Sequence, residues 1–437
     1  MPLLTELLES ARAAELLALL PPGTDCHLVG GALRNYLLGQ PVSDFDFATP
    51  SDPTALAKAF AGRIGGRWFS LDIARNQSRV VLGQKGRADL TFDFAPYRAA
   101  DLEGDLGLRD FSVNALAFDL RRQSWHDPLD GRVDLQARRL RACGEGSFND
   151  DPLRILRLVR LAITLDFTVE PATMTLAQAA LPYLNHVAGE RLGDELVLIC
   201  NSKAMPRAVR LLNELGALAV LFPGTRLEER GVRALDRHLA ELEAFAEELA
   251  AGDPVLAGRL VEPVGRGLLR IGRLRLAFLG QQLSGFHVDD LQQRLCLGWG
   301  TVRCVAAVAG SRQPESAELN ALGHTVRARA LWVEAGGYPL DRLFFIAAGT
   351  GDGARQTLLE SLRAYLVCQV GGRVPPLIDG EQLRHELGLE AGPELGKLLK
   401  SLAAAECYGE IATVQEALNL ARHWQEKSVD KKNGEDL

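Results

Sequence analysis

The sequence predicts an α+β fold, in which a small mixed α/β head is followed by an elongated, all-helical neck, body and tail. In the first third of the chain, short runs with the two-residue alternation of strands are interspersed with helical periods. From Asp151 onward the strand patterns almost vanish, and helical periods continue with prolines between them. A chain of 437 residues is also too long for one core, so several domains are expected.

The predicted elements of the head follow one another closely. They are the strand 26–29, the helix 32–38, the strand 44–48, the helix 54–60, and three strands near residues 67–71, 78–82 and 90–95. Six segments are predicted for the whole chain. They are an N-terminal helix (1–24), the head (25–142), a helical neck (143–223), a helical body (224–374), a helical tail (375–425) and a charged, disordered end (426–437).

Composition restricts the possible partners and compartment. The net charge of −7 argues against a protein that coats nucleic acid with its whole surface. Only eight of the 49 basic residues are lysines, and arginine offers a planar donor fork for phosphates and base edges, although genome composition would also explain this bias. No run is long and apolar enough to cross a bilayer, and the seven cysteines form no Cys-x-x-Cys pair. These features predict a cytoplasmic protein with no membrane partner.

The most informative stretch runs from Gly30-Gly31 to Asp44-Phe45-Asp46. Alternate side chains of a strand share a face, so the two carboxylates point the same way and repel each other. A cation relieves that repulsion, and oxygen ligands with room for phosphates suit Mg²⁺. The glycines let the backbone approach a phosphate and precede a helix whose N-terminal amides favour an anion. Taken singly, each element is more often a tight turn or a solvated strand edge.

Together these elements resemble the nucleotidyltransferase superfamily of polymerase-beta type. The order of Gly-Gly, a basic residue three positions on, and then Asp-x-Asp-x-x-Thr is more narrowly similar to the class II bacterial tRNA nucleotidyltransferase and poly(A) polymerase family. The resemblance implies a polymerase-beta-like head, an RNA nucleotidyltransferase activity and Mg²⁺ as cofactor. It assigns nucleotide binding to Gly30, Gly31 and Arg34, and catalysis and metal binding to Asp44 and Asp46.

A second strand pattern carries acidic residues on one face. Asp89, Thr91 and Asp93 alternate with Leu90, Phe92 and Phe94. If this strand lies beside the first acidic strand, Asp93 can be the third catalytic carboxylate, which helps to deprotonate the attacking 3′-hydroxyl in a two-metal mechanism. The family usually has an acidic residue at this point, which favours Asp93 over Asp89. A strand face that is simply exposed to water would also explain the pattern.

Three polar residues, Arg109, Asp110 and Asn114, stand among apolar neighbours in the next motif. The run resembles the family motif Arg-Asp-Phe-Thr-x-Asn-Ala, with Ser112 in place of Thr and Leu108 where a second Arg is common. By this resemblance the motif binds nucleotide, with Arg109 on the triphosphate and Asp110 accepting from the ribose hydroxyls. A structural network that caps a helix start is the alternative interpretation.

A polar stripe then begins a predicted helix, 153–165. Asp151, Arg154, Arg157 and Arg160 recur every third residue, opposite leucine and valine. The resemblance identifies this stripe as the Glu-Asp-x-x-Arg template that reads the Watson–Crick edge of the incoming base, with Asp150 in place of Glu and a supporting role. A carboxylate and a guanidinium can together satisfy the donor amine and the acceptors of cytosine. A capped helix with exposed arginines is the plainer alternative.

Two later stretches also match the family. Residues 190–196 and 211–223 resemble helices that support the base-reading helix, and residues 376–396 resemble its tail motif. Pro393, at a predicted helix start with free amides, could bind an RNA phosphate, although a plain helical turn would explain it equally well. The tail is therefore predicted to bind tRNA.

The length of one segment bears on the nucleotide that is added. Only residues 99–104 separate Arg98 from Asp105, whereas full-length relatives carry a longer flexible segment that is implied to reshape the pocket for adenosine. We therefore predict a CC-adding enzyme that transfers CMP from CTP to the acceptor end of tRNA. The terminal adenosine, from ATP, would then be added by another enzyme. A complete CCA-adding enzyme or a poly(A) polymerase is the first alternative. A non-catalytic RNA-binding relative is the second, and the retained acidic residues argue against it.

Overall fold

The computed structural model describes residues 4–83, 89–311, 325–335, 337–369 and 374–434. The chain forms two compact units. The first comprises Met1–Glu195 and Arg207–Pro223, and the second comprises Leu196–Pro206 and Gly224–Leu437. All of the head and most of the predicted neck belong to the first unit, so each candidate catalytic residue lies within a single compact body.

A seven-stranded sheet organises the first unit. Its spatial order is β3-β4-β5-β2-β1-β6-β7. Strands β2 and β5 run parallel, and each of the other neighbouring pairs is antiparallel. The strands are β1 (His27–Val29), β2 (Asp44–Thr49), β3 (Arg67–Asp72), β4 (Gln77–Leu82), β5 (Leu90–Pro96), β6 (Ala117–Asp119) and β7 (Ser124–His126).

Helices cover this sheet and continue into the neck. A parallel pair of two-residue strands, β8 (Arg139–Leu140) and β9 (Thr168–Val169), brackets the helix Arg154–Leu165. Short 3-10 helices span Ser112–Asn114 and Leu181–His186. The α-helices are α1 (Leu4–Ser10), α2 (Ala13–Leu17), α3 (Gly31–Leu37), α4 (Thr54–Ile64), α5 (Leu102–Gly107), α6 (Gly131–Gln136), α7 (Ser147–Asp150), α8 (Arg154–Leu165), α9 (Pro171–Ala179), α10 (Gly189–Asn201), α11 (Met205–Leu215) and α12 (Ala217–Leu221).

Aromatic packing explains why the acidic strands present one particular face to solvent. The four phenylalanines of β2 and β5 are buried, and Phe47 stacks on Phe94 at a centroid distance of 5.1 Å. Phe60 of α4 packs edge-on against Phe94 at 5.5 Å. Since strand side chains alternate between faces, this apolar layer forces Asp44, Asp46 and Asp93 to the opposite face.

The second unit is mainly helical. Its two small antiparallel ribbons pair β10 (Arg226–Leu227) with β13 (Leu283–Ser284) and β11 (Pro263–Gly265) with β12 (Leu268–Leu269). No helix among the described residues is both long and apolar enough to cross a membrane. The helices are α13 (Glu229–Gly252), α14 (Pro254–Leu260), α15 (Arg270–Gln282), α16 (Asp290–Gln293), α17 (Trp299–Ala309), α18 (Val326–Ala335), α19 (Pro339–Ala348), α20 (Asp352–Cys368), α21 (Gly380–Leu387), α22 (Pro393–Cys407) and α23 (Val414–Gly434).

Buried arginines tie the helices of the second unit together. Arg275 is 2% exposed, and its Nη2 donates to Oε1 of Glu243 at 2.6 Å. Arg270 and Arg273 on the same helix, α15, converge on the buried carboxylate of Asp341 in α19. A buried ion is tolerated only when it is paired and hydrogen-bonded, as these are. Part of the arginine bias therefore serves the scaffold.

The strands predicted up to residue 95 are confirmed to within two residues, but other boundaries differ. The N-terminal segment, predicted as one helix, forms two short helices because Arg12 adopts a left-handed φ of 53°. Strands β6 and β7 were not predicted, since three-residue strands carry too little alternation to detect. The end predicted to be disordered from residue 426 is helical through Gly434, and residues 435–437 lie outside the described part.

The phenylalanine layer gives a stability prediction. Phe94→Ala should lower the free energy of unfolding by about 3–5 kcal/mol, because it leaves a cavity between Phe47 and Phe60. Phe69→Ala, on β3 and 43% exposed, is the matched control and should cost less than about 1 kcal/mol. Urea unfolding followed by circular dichroism measures both. Equal losses in the two variants would contradict this account of the sheet.

Candidate active site

Three carboxylates converge on the open face of the sheet. Parallel pairing places Asp46 of β2 directly beside Asp93 of β5, and Asp44 lies two residues earlier on β2, opposite Thr91. Neighbouring strands are about 4.8 Å apart, so these acidic groups share one small region. The sequence prediction that Asp93 supplies the third carboxylate thus has the geometry that it needs.

Asp46 is the carboxylate whose charge is least compensated. The pKa of Asp46 is raised to about 6, chiefly by loss of hydration and also by the neighbouring Asp93 and Asp44, while Arg109 and Arg79 partly oppose the shift. Solvent reaches the side chain through the mouth of a cavity, but the surrounding walls leave little room for a full hydration shell. The surroundings of Asp46 therefore disfavour its ionised form, and a bound cation would favour it.

Asp93 is held by an arginine that the sequence analysis did not identify. Nε and Nη2 of Arg79, on the adjacent strand β4, donate to the two oxygens of Asp93 at 2.6 Å each. A bidentate pair fixes both the position and the rotation of a carboxylate. Strand register alone brings these two side chains together, because Arg79 lies opposite Asp93 in the antiparallel pair of β4 and β5.

Gly30 allows an arginine to approach the carboxylates. Its φ is 75°, and a Cβ there would lie 2.9 Å from Nη1 of Arg109 and 3.5 Å from Oδ2 of Asp46. The positive φ favours glycine, and the absence of a side chain leaves room for the Arg109 guanidinium beside Asp46. Gly31 begins α3, and the nearest atom to a Cβ there would be 3.5 Å away, so the steric requirement lies at the first of the two glycines.

Asp105 anchors the arginines on one side of the cavity. It is 2% exposed, and it accepts from Nη2 of Arg109 at 3.2 Å and from Nε of Arg98 at 2.9 Å. Burial alone would raise the pKa of Asp105, but these two arginines hold it below its ordinary value. The sequence analysis did not use the four-residue spacing between Asp105 and Arg109, which is the sequence signal that could have indicated this pair.

A second buried acid, Asp110, connects the Arg109–Asn114 motif to helix α8. Its Oδ1 accepts from Nδ2 of Asn114 at 2.9 Å, and its Oδ2 accepts from Nη2 of Arg157 at 2.6 Å. Burial opposes ionisation, yet Arg157 and Asn114 keep the pKa of Asp110 below its ordinary value. Oδ1 of Asn114 in turn accepts from Nη1 of Arg34 at 2.6 Å. No continuous helix follows Asp110, and the motif instead ends in a 3-10 turn and strand β6.

The predicted base-reading pair lies at the start of α8. This helix begins at Arg154, one residue later than predicted, and Asp151 lies in the turn before it. Oδ2 of Asp151 accepts from Nη2 of Arg191 at 2.8 Å. The guanidinium of Arg154 donates to the carbonyls of Leu108 at 2.8 Å and Ser147 at 3.0 Å. Both side chains are therefore held in place by protein partners.

The charged side chains surround one cavity of about 350 Å³. The described residues that line it do not include Asp44, Arg34 or Arg160. Arg160 pairs instead with Glu195 at 2.6 Å. Arg98, Asp105 and Arg191 line it although the sequence analysis did not select them. The charged lining residues are Asp46, Asp93, Arg98, Asp105, Arg109, Asp110, Asp151, Arg154, Arg157 and Arg191.

Comparison with models of known protein families gives matches for two segments of the chain. Residues 26–141 match the family model described as the poly A polymerase head domain. Residues 166–227 match the model described as a probable RNA and SrmB-binding site of polymerase A.

Individual relatives extend the match over nearly the whole chain. A CC-adding tRNA nucleotidyltransferase from Geobacter sulfurreducens is 33% identical over 421 residues, which cover 90% of this chain and 91% of the relative. An A-adding tRNA nucleotidyltransferase from Deinococcus radiodurans is also 33% identical, over 93% of this chain and 97% of the relative. A solved structure described as the complex of a CCA-adding enzyme with ATP has the same fold, with a TM-score of 0.69, 20% identity, and coverage of 95% of this chain and 94% of that one. The chain therefore belongs to the tRNA nucleotidyltransferase family, and it is an RNA nucleotidyltransferase with a polymerase-beta-like head.

Proposed function

We propose that this enzyme adds two cytidines to the 3′ end of tRNA, using CTP and releasing pyrophosphate. The observation that carries the proposal is the convergence of Asp44, Asp46 and Asp93 beside an arginine-lined cavity. The named activities of the relatives give the substrate class, namely tRNA and a nucleoside triphosphate.

Mg²⁺ is the cofactor that we propose for this site. Asp44 and Asp46 would hold it, because they supply hard oxygen ligands on one face. The pKa of Asp46 is raised chiefly by loss of hydration, so a bound cation would favour its ionised form. When bound, Mg²⁺ would offset the charge of the triphosphate and favour ionisation of the attacking hydroxyl. Arginines that line the same cavity, among them Arg98 and Arg109, would offer hydrogen-bond donors to the phosphate oxygens.

The protein side chains have distinct roles in the proposed reaction. Asp93, oriented by Arg79, accepts the proton of the tRNA 3′-hydroxyl as its oxygen attacks the α-phosphorus of CTP. The bond from this phosphorus to the bridging oxygen breaks, and the pyrophosphate leaves against Arg109. Arg109 is suited to this role because Asp105 holds its guanidinium close to Gly30 and Asp46.

Other residues that line the cavity would recognise the sugar and the base. Asp110, kept ionised by Arg157, is our choice to accept from the ribose hydroxyls. Asp151 and Arg154 line the same cavity and offer an acceptor and donors for the edge of cytosine. Uracil lacks the exocyclic amine and would leave Asp151 without its donor in a closed site, which disfavours UTP.

The choice of CC addition rests on the short segment between β5 and Arg109. In the structure this segment leads directly into α5, whose N-cap Asp101 accepts from the amide of Gly104 at 2.8 Å. Asp105 also accepts from the backbone amide of Arg98 at 3.1 Å, so both ends of the segment are fixed. A short, anchored segment has little freedom to reshape the pocket for a second base. The chain is as similar to an A-adding relative as to a CC-adding one, at 33% identity each. Addition of adenosine, alone or after CC, is therefore the alternative.

Two other predictions complete the proposal. The tail 375–425 contributes to tRNA binding, with Pro393 at the first turn of α22 as one candidate contact. We place the reaction in the cytoplasm, which fits the seven free cysteines.

Labelled CTP and ATP, supplied separately and together, should distinguish the alternatives. With tRNA that lacks its whole CCA end, we expect two CMP residues from CTP and no further extension when ATP is added. With tRNA that already ends in CC, ATP should not be incorporated. Efficient incorporation of AMP onto the CC end would overturn the assignment of CC addition while leaving the family assignment intact.

Removal of one catalytic carboxylate should abolish transfer without loss of RNA binding. Asp46→Asn and Asp93→Asn should each lower the rate of CMP transfer by at least about 10³-fold, because both act on the transition state. Asp89→Asn is the matched control, since Asp89 precedes β5 and is not among the described residues that line the cavity. Filter binding of tRNA should be unchanged in all three variants. An active Asp46→Asn enzyme would refute the proposed mechanism.

The raised pKa of Asp46 gives a pH dependence with a definite sign. Below its pKa of about 6 the carboxyl is protonated, so protons compete with a cation. Calorimetric titration with Mn²⁺ alone should show an affinity that falls about tenfold per pH unit below that value. Ionised Asp46 also costs folding free energy above pH 6, so Asp46→Asn should raise the thermal midpoint at neutral pH and not near pH 4. A cation affinity that does not change down to about pH 5 would contradict this assignment.

A further inference from the structure

A second group of metal-ligating side chains lies on the same sheet, beyond the catalytic carboxylates. His27 of β1 lies opposite Asp119 of β6, and His126 of β7 lies opposite Ala117, two residues earlier on β6. The potential ligand atoms of these three side chains all lie within 4.8 Å of one another. Strand alternation therefore brings two imidazoles and one carboxylate to a single point on the sheet.

The distance between the first two groups is informative. Nε2 of His27 lies 3.6 Å from Oδ2 of Asp119, which is too long for a hydrogen bond. Two ligands that each lie about 2.1 Å from one ion at a tetrahedral angle are roughly 3.4 Å apart. The gap between this imidazole and this carboxylate is thus close to the separation of two ligands of one ion.

The far sides of the same groups are already oriented. Nδ1 of His27 lies 2.9 Å from the hydroxyl of Tyr97, and Oδ1 of Asp119 accepts from the amides of Arg121 and Arg122 at 2.8 Å each. Metal-binding histidines and carboxylates are usually oriented by such outer contacts. The remaining Nε2 and Oδ2 atoms face each other.

The third group contains an unsatisfied atom. Nε2 of His126 is buried and has no hydrogen-bond partner among the described residues. The ring lies edge-on to that of His27, with centroids 5.4 Å apart. A buried polar atom without a partner is rare in folded proteins, and an ion is one of the groups that would satisfy it.

We propose that His27, Asp119 and His126 form a binding site for a divalent transition metal ion of the Zn²⁺ class. Two imidazole nitrogens and one carboxylate oxygen are the ligands that such an ion prefers, and a water molecule completes the four positions. The site is distinct from the catalytic centre, because the buried apolar residues Val29 and Ala117 lie between this cluster and Asp46 on the sheet.

One positive charge is close to the site. Nη1 of Arg122 donates to Oδ2 of Asp119 at 2.6 Å, and the side chain of Arg122 is 61% exposed. A carboxylate oxygen has two lone pairs, so it can accept this hydrogen bond and also bind an ion. The positive charge of Arg122 should lower the affinity of the site for a cation, so removal of this charge provides a second test of the proposal.

The position of the cluster indicates a structural role. The ion would join β1 to the β6–β7 hairpin at the sheet edge. Through His27 it would also fix Tyr97, which begins the short segment that leads to α5 and Arg109. A hydrogen-bonded His–Asp network without any ion is the alternative that the experiment must exclude.

The test is metal binding by the full-length, untagged enzyme after treatment with a chelator. Co²⁺ and Zn²⁺ are titrated in excess Mg²⁺, which occupies the catalytic carboxylates. We expect one equivalent of Co²⁺ with the visible absorption of a four-coordinate site, displaced by Zn²⁺. His126→Gln should weaken binding by about tenfold or more, and His186→Gln, at an exposed position, should not change it. Arg122→Ala should tighten binding.

Thermal unfolding provides a readout that is independent of nucleotide transfer. Zn²⁺ should raise the unfolding midpoint of the wild-type enzyme and of Asp46→Asn, but not that of His126→Gln. Binding in His126→Gln equal to that of the wild type would overturn the proposal. The proposal would also be overturned if His126→Gln lowered the unfolding midpoint, relative to the wild type, by the same amount in chelator as in Zn²⁺. That result would show that the three residues form a hydrogen-bonded network without an ion. Neither result bears on the proposed transfer reaction.

Discussion

The parallel pairing of β2 with β5 is the constraint on which the site depends. These two strands form the one parallel pair in the seven-stranded sheet, and their register places Asp46 beside Asp93. The phenylalanines on the other face fix that register, because a slip by one residue would turn the acidic side chains into the apolar layer and the aromatic rings into solvent. The same packing that stabilises the head therefore also assembles its carboxylates.

Charge compensation explains how so many acidic groups share one cavity. Arg79 pairs with Asp93, Arg157 with Asp110, and Arg98 and Arg109 with Asp105, which leaves Asp46 with the raised pKa. A carboxylate that is buried and paired with an arginine stays ionised and oriented, whereas one that loses hydration without such a pair has a raised pKa. The carboxylates that pair with arginines are therefore suited to positioning other groups, whereas Asp46, which has no such pair among the described residues, is suited to binding a cation.

Helix α8 shows where a linear sequence pattern predicts only part of the structure. The stripe at every third residue correctly predicted one polar helix face, but its members have different partners. Arg154 donates to backbone carbonyls, Arg157 to Asp110, and Arg160 to Glu195. Since α8 turns about 100° per residue, positions three apart drift around the helix, and successive arginines meet different neighbours. Only the first part of the stripe lines the cavity.

The sequence by itself determined the α+β head, the order of its first strands, the shared face of Asp44 and Asp46, and the family. These features depend on alternation and short motifs, which are local properties of the chain. Tertiary structure decided the rest. Strand register brought Arg79 to Asp93, and the unpredicted strands β6 and β7 placed Asp119 and His126 beside His27. Contacts between residues about 100 positions apart depend on how strands pair, and no local pattern specifies that pairing.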